Sequence, residues 1–292
     1  MKMQSIALLA MLCASLVHAD PVQRSLEADP KGEVQITNVA GQVHVLGWDR
    51  NEVQVQADLG PQVERLDFRR DGRLTIVRVV LNEGRHHGAD TDLQVRIPRA
   101  SAVSVNSVSA DQTIEQVRGD QRLQAVSGSI QTQIWSGECE ATTVSGEVTV
   151  KANDAGAPLR INTVSGDVTL IGGSRELDLS TVSGDLEVRV AELGRARIKT
   201  TNGSLDLVSK LARDARVDAE AINGEMRMMF EGAVDAEFNI ETFNGEIDNC
   251  FGPKEQRSHE YGPGHELRFR EGQGSANVRI KTLNGEVQLC KR

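Results

Sequence analysis

Carboxylates recur in this sequence one residue after a glycine: Glu147 after Gly146, Asp167 after Gly166, Asp185 after Gly184. The series runs from Glu138 through these three to Ser204, Glu225, Glu246 and Glu286. If successive members stack, their oxygens could hold cations, Ca²⁺ being the ion that favours clustered oxygen ligands. The plainer chemistry is an exposed edge whose acids accept hydrogen bonds from neighbouring amides. At strand spacing two such carboxylates repel by about 1 kcal/mol in water, which salt screens. The Gly-Gly-x-Gly-x-Asp calcium nonapeptide is absent. Glu147, Asp167 and Asp185 therefore stand as a weak candidate column, and no metal or other cofactor is expected.

Other reactive side chains are sparse. The histidines beyond the leader are His44, the pair His86-His87, and His259 and His265, the last two each followed by glutamate. Their spacing matches no helix-borne zinc pattern, and "GPKEQRSHEYGPGHE" reads as a solvated loop. There is no Gly-x-Ser-x-Gly elbow, no His-Glu-x-x-His and no dinucleotide or phosphate loop. Asp185, Glu187 and Arg189 with Lys199 could imitate the acid–base cluster of a polysaccharide-cleaving β-helix. Arg69, Arg70 and Arg73 could hold an anion. Surface charge produces such groupings by chance, so no enzyme is expected.

Three cysteines follow the leader. Cys250 and Cys290 sit five residues after Gly245 and Gly285, whereas Cys139 sits two after Gly137. Side-chain parity sends the first two outward onto one face and Cys139 inward, as a buried free thiol. The two outward thiols admit two geometries. If 252–274 forms a whole extra coil, they lie two layers apart, about 9.6 Å, beyond the ~7 Å reach of a disulfide. If that stretch loops out and 267–272 resumes the coil, the layers touch. Its Pro/Gly-rich polar composition favours the loop, which predicts a Cys250–Cys290 disulfide.

These side chains hang on a repeat. Its corner glycines fall at Gly128, Gly146, Gly166, Gly184, Gly203, Gly224, Gly245 and Gly285, the first seven 18 to 21 residues apart and the last interval 40. Weaker marks stand at Gly41 and Gly119, and second glycines lie about half a period away, as at Gly137 and Gly173. Apolar residues or threonine occupy positions five and three before the mark, and apolar residues occupy two and four after it. That is the period-2 alternation of half-buried strands. Ser-Gly or Asn-Gly between them encodes a sharp corner, since glycine reaches positive φ cheaply. Two-residue hairpins would also use such corners, and a membrane barrel would need aromatic girdles that a 3% aromatic content does not supply. Only a parallel solenoid explains why like residues recur at like positions, because there they stack and a matched Thr or Asn column can hydrogen-bond along the axis. Crossovers between parallel strands favour a right-handed single-stranded parallel β-helix.

The start, "MKMQSIALLAMLCASLVHAD", has the charge, short apolar run and small-residue exit of a signal peptide over 1–19, cut after Ala19. Cys13 could anchor a lipid, but Leu12 stands where a small residue is wanted. Residues 20–30 form a leader, 31–100 irregular coils that cap the stack, and 101–292 the regular repeat with a loop at 252–266. One solenoid domain thus covers 31–292. Loss of Lys2 makes the formal charge of −9 more negative still, which argues against nucleic acid. No second hydrophobic stretch suggests a membrane span.

"NVAGQVHVLGWD" (38–49), "LQVRIP" (93–98), the Thr-Val-Ser-Gly-Asp/Glu units and the closing "TFNGEI" and "TLNGEV" resemble a bacterial β-strand-repeat family known as putative adhesins, a domain of unknown function. The resemblance spans roughly residues 31–290. It implies an exported, periplasmic or secreted β-solenoid of the envelope, and no catalytic residues. The Cys250/Cys290 pair and the polar stretch 252–266 depart from the family pattern. The expected role is an adhesin-like binding or scaffold module whose partner is an envelope polysaccharide, peptide or protein. A polysaccharide-active β-helix, or a module that binds cationic peptides under envelope stress, are the alternatives.

Overall fold

Each regular unit folds as two strands that meet at its glycine. Around Gly166, Pro158–Ser165 leads in and Val168–Gly172 leads out. Alternation turns Leu159, Ile161, Val168 and Leu170 inward, all 2% exposed or less. Successive units pair in parallel and in register. Ser127, Ser145, Ser165, Ser183, Asn202 and Asn223 are consecutive partners, offset by 18 to 21 residues. The lead-in strands make one ladder and the lead-out strands another, and their inward side chains share a single core. The computed structural model describes residues 22–82, 90–154, 156–258 and 263–292, all-β with no helix among them. The signal-peptide reading of 1–19, with Cys13, lies outside the described residues, as do His86, His87, His259 and Glu260.

The corner glycines answer to two constraints. Gly146 has φ of 155°, and a Cβ built there would stand 2.1 Å from the carbonyl oxygen of Gly128 in the next layer. Close backbone approach therefore excludes a side chain as firmly as the dihedral does. Stacking also sorts the weaker marks. Gly41 pairs with Ala110, which takes the glycine's place in its own strand. Gly119 lies instead under Gly137, at the opposite corner.

Layer order departs from sequence order at both ends. The last repeat is inserted: Ala276–Asn284 pairs with Arg216–Asn223 on one side and Ala236–Asn244 on the other. Val287–Lys291 likewise lies between Met226–Phe230 and Ile247–Asn249. Residues 267–272 do not resume the coil. His265–Glu271 runs antiparallel along the outside of Ala236–Asn244, and Gln256–Arg257, within the expected loop, pairs with it in turn. One charge row is consistent with the insertion. The observed row is Glu220, Lys281, Glu241; sequential stacking would set Glu220 directly beside Glu241, and like charges opposite one another destabilise a sheet. Four phenylalanines close this end. Phe238 stacks on Phe269 at 4.7 Å, with Phe251 and Phe230 at 5.2 and 6.0 Å from Phe238.

At the other end Glu33–Trp48 bends at Gly41 and pairs with Ala102–Glu115 on its inner side. Leu74–Leu81 and Asp90–Pro98 cover its outer side. Antiparallel strands finish the cap: Val63–Asp71 on the first, Glu52–Leu59 on the second, and Val22–Glu27 outermost. The leader expected over 20–30 thus contributes a paired strand. Antiparallel edges at both ends protect the stack from adding a further parallel chain.

The two expected hydrogen-bonded columns differ. Asn223 donates to Asn202 at 2.8 Å, Asn284 to Asn223 at 2.8 Å and Asn244 to Asn284 at 2.9 Å, a ladder that runs through the inserted layer. The threonine column makes no such ladder, its one bond between layers being from the Thr242 hydroxyl to the Gly285 carbonyl at 3.4 Å. The hydroxyls of Thr143, Thr163, Thr181, Thr200 and Thr282 are buried without a partner, so they cost desolvation instead of tying layers together.

Candidate functional site

Two residues before each glycine the chain turns an apolar side chain to solvent. Val108, Val126, Val144, Val164, Val182, Ile222, Leu283 and Phe243, in layer order, are each 46–50% exposed. Strand parity sends this position outward, and the outward position two residues earlier is polar: Gln124, Thr142, Asn162, Ser180. A valine there is not demanded by the fold, because Thr201 fills the same position in its own layer. The register aligns nine layers into one row, about 38 Å long at strand spacing. An exposed apolar row that fills eight of nine layers, in a chain whose core is already filled, marks an interaction surface. The sequence reading passed over it, although the Val of each Thr-Val-Ser-Gly phrase was its signal.

The acid column runs beside this edge, three residues further round the corner. Asp167 Oδ1 accepts the Asp185 amide at 2.9 Å, and Asp185 Oδ1 accepts the Ser204 amide and hydroxyl, both at 2.8 Å. The Ser204 bonds hold the Asp185 carboxyl below its ordinary value of 3.8. Glu147 accepts the Thr149 hydroxyl at 3.1 Å. Asp167 and Asp185 thus cap amides of the neighbouring layer, whereas Glu147 bonds within its own. Among the described residues no three His, Cys, Asp or Glu side chains are grouped to hold a metal. Glu138 belongs elsewhere: it lies at the opposite corner, where its amide donates to Asp120 at 3.0 Å. Asp111 occupies the acid position beside Ala110, its Oδ1 accepting the Ser129 amide at 2.8 Å.

The other candidates are dispersed. Arg189 pairs with Glu187 at 2.6 Å, whereas Lys199 lies on the other ladder and pairs with Glu220 at 3.0 Å, so the imagined acid–base cluster does not assemble. Arg69 pairs with Asp67 at 3.5 Å, Arg73 with Asp29 at 3.3 Å, and Arg70 donates to the Glu27 carbonyl at 3.0 Å; the latter two tie the outermost cap together. His44 meets Glu115 at 3.2 Å and His265 meets Glu255 at 2.7 Å. Cys250 and Cys290 are joined, with Cα atoms 4.8 Å apart. Cys139 is a buried free thiol whose pKa burial pushes up to about 12, which leaves it neutral and unreactive.

With the repeat and its corners in place, the sequence profile of the family described as Toastrack DUF4097 matches residues 31–190 and 159–290. The chain belongs to the Toastrack DUF4097 family. The overlapping matches follow the internal repetition of this Toastrack chain. Among solved structures it is similar to a protein described as a putative lipid binding protein from Parabacteroides distasonis ATCC 8503, at 10% identity over 94% of this chain and 97% of that one, with a TM-score of 0.48. It is also similar to a putative adhesin from Bacteroides fragilis NCTC 9343, at 9% identity over 92% and 96% of the two chains, with a TM-score of 0.44. A putative adhesin from the same Parabacteroides distasonis strain shares 11% identity over 93% and 97%, with a TM-score of 0.37. No curated relative matches the chain. Among the described residues no helix is long and apolar enough to cross a membrane.

Proposed function

We propose that this Toastrack protein is a non-enzymatic, adhesin-like binding or scaffold module of the bacterial envelope, and that its apolar corner edge makes the contact. The layers are read as coils of 18–21 residues in a right-handed parallel solenoid, a rigid rod that displays one row of side chains at fixed spacing. The observation that carries the reading is the row from Val108 to Phe243, apolar and exposed in eight of nine layers and broken only at Thr201. Export to an oxidising compartment agrees with the Cys250–Cys290 bond, since such bonds persist outside the cytosol. The acids beside the row are occupied in capping amides, which supports binding over catalysis.

Co-sedimentation of the purified protein with isolated envelope fragments tests this. Wild type should pellet with them, and a variant carrying Val144→Ser, Val164→Ser and Val182→Ser should stay in solution with its melting temperature little changed. Equal pelleting of the two would remove the edge from the function. The acid column favours one more specific reading, a cationic peptide laid along the edge. Apolar row and acids stand three residues apart, at most about 10 Å along the chain, so one amphipathic peptide could touch both. Such a peptide should then compete the protein off the fragments.

A further inference from the structure

The outward face of the lead-in ladder alternates in charge from layer to layer. Its middle row reads Arg122, Glu140, Arg160, Asp178, Arg197, Asp218, Arg279, with Arg122–Glu140 at 3.1 Å and Arg160–Asp178 at 3.6 Å. The row nearer the far corner breaks the rule. There Glu176, Arg195, Arg216 and Asn277 are consecutive partners. Arg195 takes Glu176 at 2.9 Å, so Arg216 has an arginine on one side and a neutral amide on the other. Among the described residues the side chains of Arg197 and Arg216 make no ion pair or hydrogen bond, while the charge of Arg279 acts on Glu241. Like charges facing across strands destabilise a sheet, and a local rule broken without local compensation is what a functional site looks like.

The break sits in a cleft. Arg160, Arg195, Arg197, Arg216 and Arg279 line a depression of about 990 Å³. A second, of about 470 Å³, adjoins it through Arg195 and Arg216. Its rim is shaped by register shifts between Arg189 and Glu192 and between Leu193 and Arg195, bulges of the kind that re-aim side chains beside binding sites.

We propose that this cleft binds the carboxylates of an acidic oligosaccharide. The planar guanidinium fork matches a carboxylate through two parallel hydrogen bonds, and the forks of Arg197 and Arg216 form no hydrogen bond or ion pair here, in a chain of net charge −9. Glu138, Glu176, Asp178 and Asp218 line the cleft with the arginines. They repel a densely charged polyanion but accept hydrogen bonds from sugar hydroxyls, so the fitting ligand carries sparse carboxylates among hydroxyl groups. No aromatic side chain lines the cleft, which makes binding ionic and sensitive to salt. The assignment rests on the binding role proposed above but uses a different face from the apolar edge.

The test is titration of the full mature chain with an oligogalacturonate, with neutral dextran and inorganic phosphate as controls. Wild type should bind the oligogalacturonate, more weakly as NaCl rises, and should ignore dextran. Arg216→Gln should bind about tenfold more weakly or worse, as expected for loss of one charge-assisted contact, yet melt at the same or a higher temperature because a like-charge neighbour is gone. Arg216→Lys should fall between, keeping charge without the fork. The triple edge variant should bind as wild type does. The proposal is overturned if wild type does not bind, if Arg216→Gln binds unchanged, if dextran binds equally, if phosphate displaces the sugar at equal concentration, or if the edge variant alone loses the ligand. Glycan binding that survives while co-sedimentation fails would instead retire the envelope reading and leave the cleft standing.

Discussion

At the scale of single residues, the repeat serves the backbone first and the side chains second. The corner glycine is fixed by two facts that no other residue meets together, positive φ and a carbonyl 2.1 Å from where a Cβ would be. Threonine three residues earlier is a poorer solution. Thr163 is 5% exposed and its hydroxyl has no partner. Valine keeps the shape and the strand preference while removing the unmet hydrogen-bond demand. Thr163→Val is therefore expected to stabilise the protein by about 1 kcal/mol, read as a rise of about 2–4 °C in Tm for a chain of this size. A fall in Tm on that substitution would show that the hydroxyl is engaged after all. The parity that hides Thr163 also exposes Val164, so adjacent letters of one phrase divide between packing and recognition.

At the scale of elements, the inserted layer brings a lysine between two glutamates. Lys281 separates Glu220 from Glu241 and pairs with Glu241 at 2.6 Å. That hydrogen bond, against a smaller opposing effect of burial, holds the Glu241 carboxyl below its ordinary value of 4.5. A carboxyl depressed in the folded state favours folding above its unfolded value, and the contribution is lost as pH falls through the folded value. Melting temperature should therefore decline as pH drops below about 4.5, the ordinary value for glutamate. Glu241→Gln should flatten the part of that decline owed to this site. If wild type and variant decline in parallel, the Lys281 pair does not help to hold the inserted strand.

At the scale of the whole molecule, the terminal repeats are locked one layer in from the caps. The last repeat fills a slot between two earlier layers, and the Cys250–Cys290 bond joins it to the outer wall. The bond spans 40 residues, a loop for which cross-linking is worth up to about 4 kcal/mol through the unfolded chain. Reduction, or the double replacement Cys250→Ser with Cys290→Ser, should lower Tm and speed proteolysis within 250–275 while sparing the middle layers. Unchanged Tm and cleavage after verified reduction would show that the aromatic plug and strand pairing hold this end unaided.

The sequence by itself determined the local geometry. Period-2 alternation at Ile161, Thr163, Val168 and Leu170, with glycine at a fixed interval, dictates short strands, sharp corners and the inward side chains that flank each mark, because these depend only on neighbours in the chain. The outward parity of Cys250 and Cys290 was legible for the same reason, as was the amide-capping chemistry open to Asp167 and Asp185. Assigning Glu138 to that column failed, since glycines at opposite corners look alike until layers are superposed. The apolar edge was written in each Thr-Val-Ser-Gly phrase, but one exposed valine carries no message, and only stacking aligned five valines with Ile222, Leu283 and Phe243 into one row. The tertiary structure alone decided which layers touch. Parallel ladders accept any layer of matching register, so chain order cannot choose between them. Long-range pairings such as Lys281 with Glu241 and Phe238 with Phe269 are consistent with the inserted order, and the same stacking left Arg216 beside Arg195 without an acid to answer it.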